Sequence, residues 1–288
     1  MIPHGQPRRK ELQPVAQPTA LSIPNPNFGT ILANRHRTDY TMKRSILSGL
    51  LTLSCLLSFT PVTIGQKHVY EDLLKLYVDE EYEKCLAKAE NYTLNDATKK
   101  DPLPFLYMSM CLYEMSKIEK YTAMDEYKKA DRDAMKFAEK YRKKDKNKEF
   151  FDNYGDYWED LNTMAMEKGE NLYDDNEFGK AKQVFDAMTG YHPENSGAWM
   201  YLALCQLKTN LVKEAQLSLK EFTKARGEQG AIGFLPEDQK KLLRNALVRY
   251  SVYLDSKSMR DSARSTLSIG ADYFMKDAEF KSQYEELN

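Results

Sequence analysis

Histidine and cysteine are the side chains that most often mark catalysis or metal binding when they cluster. This 288-residue chain has four of each. His4, His36, His68 and His192 lie too far apart to share metal-ligand spacing. HExxH, CxxC, GxSxG and glycine-rich phosphate loops are all absent from the sequence. Cys85, Cys111 and Cys205 each sit in an apolar stretch with helical spacing, where a thiol serves as a small hydrophobe. Three cysteines after residue 65 do not make a disulfide framework. The acidic pairs Glu80-Glu81, Asp174-Asp175 and Glu285-Glu286 lack the glycine-containing spacing of a calcium loop. The chain is therefore read as a non-enzyme, with no catalytic, cofactor-binding or metal-binding residue assigned and no cofactor required.

The elements that carry these residues are helical. Lys, Glu, Ala, Leu and Met dominate, strand-like runs of Val, Ile and Thr are few, and Gly and Pro thin out after residue 105. A 42% hydrophobic and 30% charged composition supports a sizeable core. The first 65 residues hold seven of the basic and two of the acidic side chains, so the remainder carries 35 basic against 41 acidic, a net of −6. A domain of that sign has no global attraction for nucleic acid or anionic lipid. Its one basic cluster, residues 141–148, has no interleaved aromatics and reads as a solvated turn between helices.

Residues 165–188 repeat at an offset of 34 as residues 199–222. Gly169 falls on Ala203, Phe178 on Val212, Ala181 on Ala215, Phe185 on Leu219 and Met188 on Phe222. Small residues recur where two helices would cross, so their backbones can approach closely, and apolar residues at three- and four-residue intervals give each helix a buried stripe. Tyr191-His192-Pro193 ends the first unit, because proline cannot continue a helix interior. Period and pattern resemble the tetratricopeptide repeat (TPR) family. Some 60 residues carry the likeness strongly and about 200 weakly. The resemblance implies an all-α fold: an α-solenoid of about five antiparallel helix pairs forming a TPR-like right-handed superhelix.

It also implies a function, protein–protein interaction. Members of the family turn the first helix of each pair toward a concave groove. The matching positions here are Thr163, Met166, Glu170, Tyr173 and Asp174 in one repeat and Gly197, Met200, Leu204, Leu207 and Lys208 in the next. Met166, Glu170, Tyr173, Met200, Leu204, Leu207 and Lys208 form the candidate partner-binding strip. The alternative is that the long helix over 149–173 or the C-terminal pair folds over the strip and makes it ordinary core. The Lys and Asn residues with which some relatives clamp a C-terminal carboxylate are missing, which leaves an apolar, Met-rich strip suited to a helix or an unstructured apolar segment.

Outside the echo, the sequence predicts helices over 68–78, 82–92, 105–115 and 119–144, one long helix over 149–173, and further helices over 236–254, 260–274 and 277–287. Ser109 stands where the pattern wants a small residue, and Phe150, Tyr154, Tyr157, Trp158 and Leu161 read as packing. Gly227, Gly230 and Gly233 predict a loose turn after the second unit.

Residues 1–41 are Pro-, Gln-, Asn- and Thr-rich without period, and read as disordered or as an upstream mis-assigned segment. Residues 42–65 then have the order of a secretory signal peptide: Lys43-Arg44, an uncharged apolar run over 46–59, and small residues at Thr63 and Gly65 before Gln66. That run is short for a membrane span. Two readings of the late signal stand open, Met42 as the true start or a cytoplasmic tail on an anchor. Cys55 adds a third, a lipidated cysteine. Residues 66–288 form the helical repeat domain. The expectation is an exported protein, periplasmic or outer-membrane-associated in a Gram-negative bacterium, that acts as a scaffold of the cell envelope and binds a peptide or partner protein. It binds no nucleic acid or metal, and meets the membrane by association or a lipid anchor. The alternative function is a structural subunit of an envelope secretion or motility assembly.

Overall fold

Four hairpins of this protein close through one and the same turn, seen in a computed structural model that describes residues 70–288. The described residues lie in one compact unit. The expected upstream segment, the export signal, Cys55, His68 and the boundary at residue 66 lie outside them. Among the described residues there are thirteen α-helices and no strand. In chain order they are α1 (Glu71–Val78), α2 (Tyr82–Leu94), α3 (Leu103–Ser116), α4 (Glu119–Thr122), α5 (Ala130–Lys144), α6 (Gly155–Asp174), α7 (Phe178–Tyr191), α8 (Ser196–Lys208), α9 (Val212–Glu228), α10 (Glu237–Ser256), α11 (Arg260–Ser268), α12 (Ala271–Phe274) and α13 (Ala278–Leu287).

The shared turn joins α1 to α2, α6 to α7, α8 to α9 and α10 to α11. Each has a residue with φ near +60°: Glu80 at 57°, Asn176 at 62°, Asn210 at 62° and Ser258 at 60°. The following amide then donates back across the helix end, Glu81 to the Leu76 carbonyl at 2.9 Å, Glu177 to Leu172 at 2.8 Å, Leu211 to Gln206 at 2.8 Å and Met259 to Leu254 at 3.0 Å. This is the six-to-one bond that satisfies an orphan carbonyl at a helix C-terminus, and the left-handed residue makes it possible. Five residues beyond each left-handed position stands a fully buried small residue: Cys85, Ala181, Ala215 and Ala263. Seven residues before it stand Leu73, Gly169, Ala203 and Ser251, all buried. Turn and crossing thus repeat as one cassette, which fixes the antiparallel pairing because so short a turn reverses the chain.

The pair made by α3 and α5 uses a different device. Ser109 is fully buried, and its hydroxyl donates to the Ala134 carbonyl at 2.5 Å, so two small residues again mark a crossing. The single helix expected over 119–144 is broken, with turns over 123–129 between α4 and α5. The single helix expected over 149–173 is also broken. Phe151–Tyr154 form a 3-10 turn, the Trp158 indole donates to the Phe151 carbonyl at 2.9 Å, and Phe151 stacks on Trp158 with ring centroids 4.6 Å apart. That local closure starts α6 only at Gly155. Trp158 also stacks on Tyr141 of α5, which makes the aromatic run a packing element, as expected.

After the second strong repeat, α9 continues through Gly227 to Glu228, so the expected loose turn is confined to 229–236. Buried Ile232 and Leu235 pin it. Pro236 precedes α10, and the expected partner over 260–274 divides at Gly270 into α11 and α12. Beyond them α13 packs on α10 and α11 as the final cap, with Phe280 and Leu287 fully buried. The architecture is an all-α solenoid of about five antiparallel pairs.

Candidate functional site

The strip expected from the sequence does not form an open surface. Met166 is 1% exposed, Met200 2% and Leu204 0%, and Gly197 is buried with them. The cause is α10, which packs chiefly on α8 and also reaches α6. Its Leu242, Leu243, Ala246 and Leu247 are buried, and its backbone comes so close to α8 that a Cβ on Gly197 would stand 2.7 Å from the Leu243 nitrogen. Met166, Met200 and Leu204 are therefore core, which corrects the reading of these three as partner-binding residues.

The polar members of the strip are spent on the same docking. Glu170 accepts from the Tyr201 hydroxyl at 2.5 Å and from the Asn245 amide of α10 at 2.8 Å. Asp174 accepts from Arg249 of α10 at 3.0 Å. Tyr173 is half-buried, edge-on to Phe178 with centroids 5.1 Å apart, and burial pushes its hydroxyl pKa up. Lys208 is exposed, with its ammonium 5.2 Å from the Phe178 ring and 5.6 Å from that of Tyr253. Leu207 and Thr163 are half-buried. Of the expected strip, Tyr173, Leu207 and Lys208 keep an accessible edge.

The spread histidines conceal a buried polar junction. His192, expected in a turn, caps α7 and is 6% exposed. Its Nδ1 lies 3.1 Å from the Asn162 amide nitrogen of α6, and the same amide donates to Asp238 of α10 at 2.8 Å. Burial pushes the His192 pKa down to about 4 and raises that of Asp238. An Asn stands between the acid and the imidazole, so the carboxylate does not orient the ring as it would in a nucleophile–base–acid relay. The cluster ties α6, the α7–α8 turn and α10 together. Among the described residues no group of three or more His, Cys, Asp or Glu side chains could hold a metal, and no helix is long and apolar enough to cross a membrane. Cys85, Cys111 and Cys205 are buried free thiols.

Open space lies elsewhere, in a cleft of about 1170 Å³ between the second and third pairs. One end of this junction is tightly closed: the Ser109 hydroxyl is 2.6 Å from that of Tyr157, and Tyr141 stacks on Trp158. Toward the other end the wall of α5 and the wall of α6 part, joined there by the Lys168–Asp131 ion pair. Met135, Val184 and Ala187 lie at the base, with Tyr113, Tyr127, Met164 and Leu172 around them. The insertion carrying α4 supplies Thr122 and Tyr127 at the mouth. Sequence periodicity shows which residues share a helix face but not that two pairs splay, so this cleft was not foreseen. The interrupted helix over 119–144, with its run of charge, was the available signal.

The basic cluster over 141–148 is largely engaged. Arg142 pairs with Glu194 at 2.6 Å, Lys148 with Glu194 at 2.8 Å and Lys143 with Glu139 at 2.5 Å. The Lys144 ammonium donates to the Lys99 carbonyl at 2.7 Å. It serves as an intramolecular clasp.

No protein-family model matches the chain, and no curated protein does. Among solved structures, the C-terminal part of a TPR repeat-containing protein from Cytophaga hutchinsonii is similar at 14% identity with a TM-score of 0.28, covering 75% of this chain and 99% of that one. The fold assignment stands on the repeated turn and crossing described above.

Proposed function

We propose that the domain is a non-catalytic scaffold that binds a protein or peptide segment, and that the segment enters the cleft between α5, α6 and α7. The observation that carries this reading is the cleft itself, a splayed junction with an apolar base. Apolar concavities of this size are the usual seats of ligands and partner segments. The strip on α6 and α8 supports the reading only through its accessible edge at Tyr173, Leu207 and Lys208. A photo-crosslinking amino acid at Met164, on the cleft wall, tests the proposal in the native host. The expected result is a discrete crosslinked partner, with none from the same group at the exposed Leu217 of α9. Equal labelling from both positions, or from neither, would remove the cleft as the site.

We further propose that this scaffold works in the cell envelope after export. What supports this is the order of basic, apolar and small residues over 42–65 in the sequence. Mass spectrometry of the native protein checks it. A mature chain beginning at Gln66 is expected, and recovery of peptides from residues 1–41 would overturn it.

A further inference from the structure

The cleft carries charge in a pattern that its volume does not require. Its basic lining residues include Lys117, Lys128, Lys168 and Lys180, each already held by an acid of this chain: Glu114, Asp125, Asp131 and Glu177 respectively. Setting those pairs aside leaves three cations without an ion-pair partner among the described residues, Lys129, Arg132 and Lys136. All three are exposed and recur at three- and four-residue intervals along the start of α5, so they form one edge of that helix. The lining acids left without a cation are Asp160, Glu167 and Asp175. They too are exposed, and they run along α6 and its C-cap. Unpaired charge is therefore sorted by sign: one rim is cationic, the other anionic, and apolar side chains lie between them together with the Lys168–Asp131 pair that links α6 to α5.

We propose, resting on the cleft reading above, that the occupant is an amphipathic helix of about four turns whose apolar stripe is flanked by acidic residues along one edge and basic residues along the other. The length follows from the α6 rim, since Asp160 to Asp175 spans about 22 Å at 1.5 Å per residue. The helical form follows from the walls. The cleft walls are helix surfaces of α5, α6 and α7, with the turns over 123–129 at the mouth, and a helix fills such a space by setting its ridges into theirs. The sorted flanks follow from the rims. A partner with acids on both flanks would set like charge against Asp160 and Glu167, and one with bases on both would do so against Arg132 and Lys136. Such rim charges select partner and orientation more than they add affinity.

The test uses four synthetic 16-residue helices with the same Leu stripe, titrated into the full chain and followed by fluorescence anisotropy. One has Glu on one flank and Lys on the other, one has the same residues mixed on both flanks, one is all Glu and one all Lys. The sorted peptide is expected to bind about tenfold tighter than the mixed one, and to lose that margin in high salt. Reversing one rim with Lys129→Glu, Arg132→Glu and Lys136→Glu should cost the sorted peptide about tenfold. Reversing the other with Asp160→Lys, Glu167→Lys and Asp175→Lys should cost a similar factor. Both reversals together should restore binding, because a sorted helix can turn end for end. Circular dichroism reports whether each variant keeps its helix content. Equal affinity for sorted and mixed peptides, tightest binding by a single-sign peptide, no restoration in the doubly reversed chain, or no binding at all would each overturn the inference. Crosslinking at Met164 is independent of these peptides, so a native partner captured there with no preference for sorted flanks would leave the cleft reading standing and remove only this one.

Discussion

Two glycines occupy the second position of consecutive first-turn segments, Gly179 in α7 and Gly197 in α8, and they differ in what a side chain would meet. A Cβ on Gly179 has nothing within 4 Å, whereas one on Gly197 would stand 2.7 Å from the Leu243 nitrogen and 2.9 Å from the Leu242 carbonyl carbon. Both obstacles are backbone, so no rotamer change relieves them, and α10 as a whole would have to retreat by about 0.7 Å to reach ordinary contact. Gly179→Ala therefore measures backbone propensity alone, a gain of about 0.5–1 kcal/mol at most. Gly197→Ala adds to that gain an overpacking cost of roughly 1–3 kcal/mol. The net loss should be about 1–2 kcal/mol, which for a domain of this size lowers Tm by roughly 2–8 °C while Gly179→Ala leaves it level or raised. Urea denaturation of both variants gives the difference, and hydrogen exchange locates it, with faster exchange expected over 237–256. If the two variants shift stability alike, α10 does not rest on the backbone of α8, and the burial of Met200 and Leu204 needs another cause.

The left-handed turn positions offer a second test. Glu80 and Ser258 hold φ values of 57° and 60° at a steric cost that glycine avoids, so Glu80→Gly and Ser258→Gly should each stabilise by about 0.5–1 kcal/mol in thermal unfolding. Asn176→Ala should destabilise by about 1 kcal/mol, and the opposite sign would discredit the turn assignment. The pH response follows from His192, whose folded pKa of about 4 lies below the ordinary value near 6.5. Its contribution is complete above pH 6.5 and is lost as pH falls toward 4, by about 3 kcal/mol at the limit, because the unfolded chain takes the proton more readily. Asp238 works in the opposite sense, since its raised pKa favours the fold more as pH falls. Tm measured from pH 7.5 to 4.5 should therefore fall less steeply in His192→Gln than in the parent, and equal slopes would refute the buried neutral imidazole. The thiols give a fourth test. Hydrogen bonding to Cys85 and burial push the Cys111 thiol up, and burial pushes Cys205 up to about 12 against the opposing charge of Lys182. Peptide mapping after alkylation at pH 8 should find both unmodified in the native protein and modified in denaturant.

Much of the fold could be read from residues 165–222 because its determinants are local. A 34-residue offset placed small residues at Gly169, Ala181, Ala203 and Ala215, and all four are buried at crossings. Asn176 and Asn210 carry the same offset and both adopt the left-handed turn. The cassette also occurs where the sequence disguises it: Ser251, Ser258 and Ala263 do in the last hairpin what Ala203, Asn210 and Ala215 do in the central one. The turn φ and the small buried residue five positions beyond it recur across these units while residue type varies, so a comparison of letters sees two strong repeats where the backbone has four. The broken helices failed for a related reason. A Trp158 indole reaching the Phe151 carbonyl is a tertiary event, invisible to propensity summed over 149–173.

The site was harder to read because it depends on which pairs of helices meet. The resemblance to the repeat family turned Met166, Met200 and Leu204 toward a concave groove, whereas all three are buried. What the sequence left open was whether the C-terminal pair would cover those faces, and α10, more than 30 residues further on, lies across them. The deciding feature was a glycine at 197, whose missing side chain lets α10 approach and whose meaning appears only once Leu243 is beside it. The same packing explains why space remains between α5 and α6. A solenoid offers an open face only where a following helix does not close it. Along α6 and α8, α10 closes it with Leu, Ala and three polar pairs to α6, Asn162–Asp238, Glu170–Asn245 and Asp174–Arg249. Between the second and third pairs the cleft is lined from α3 to α7 alone, with Thr122 and Tyr127 of the α4 insertion at its mouth and the unpaired cations of α5 facing the unpaired acids of α6.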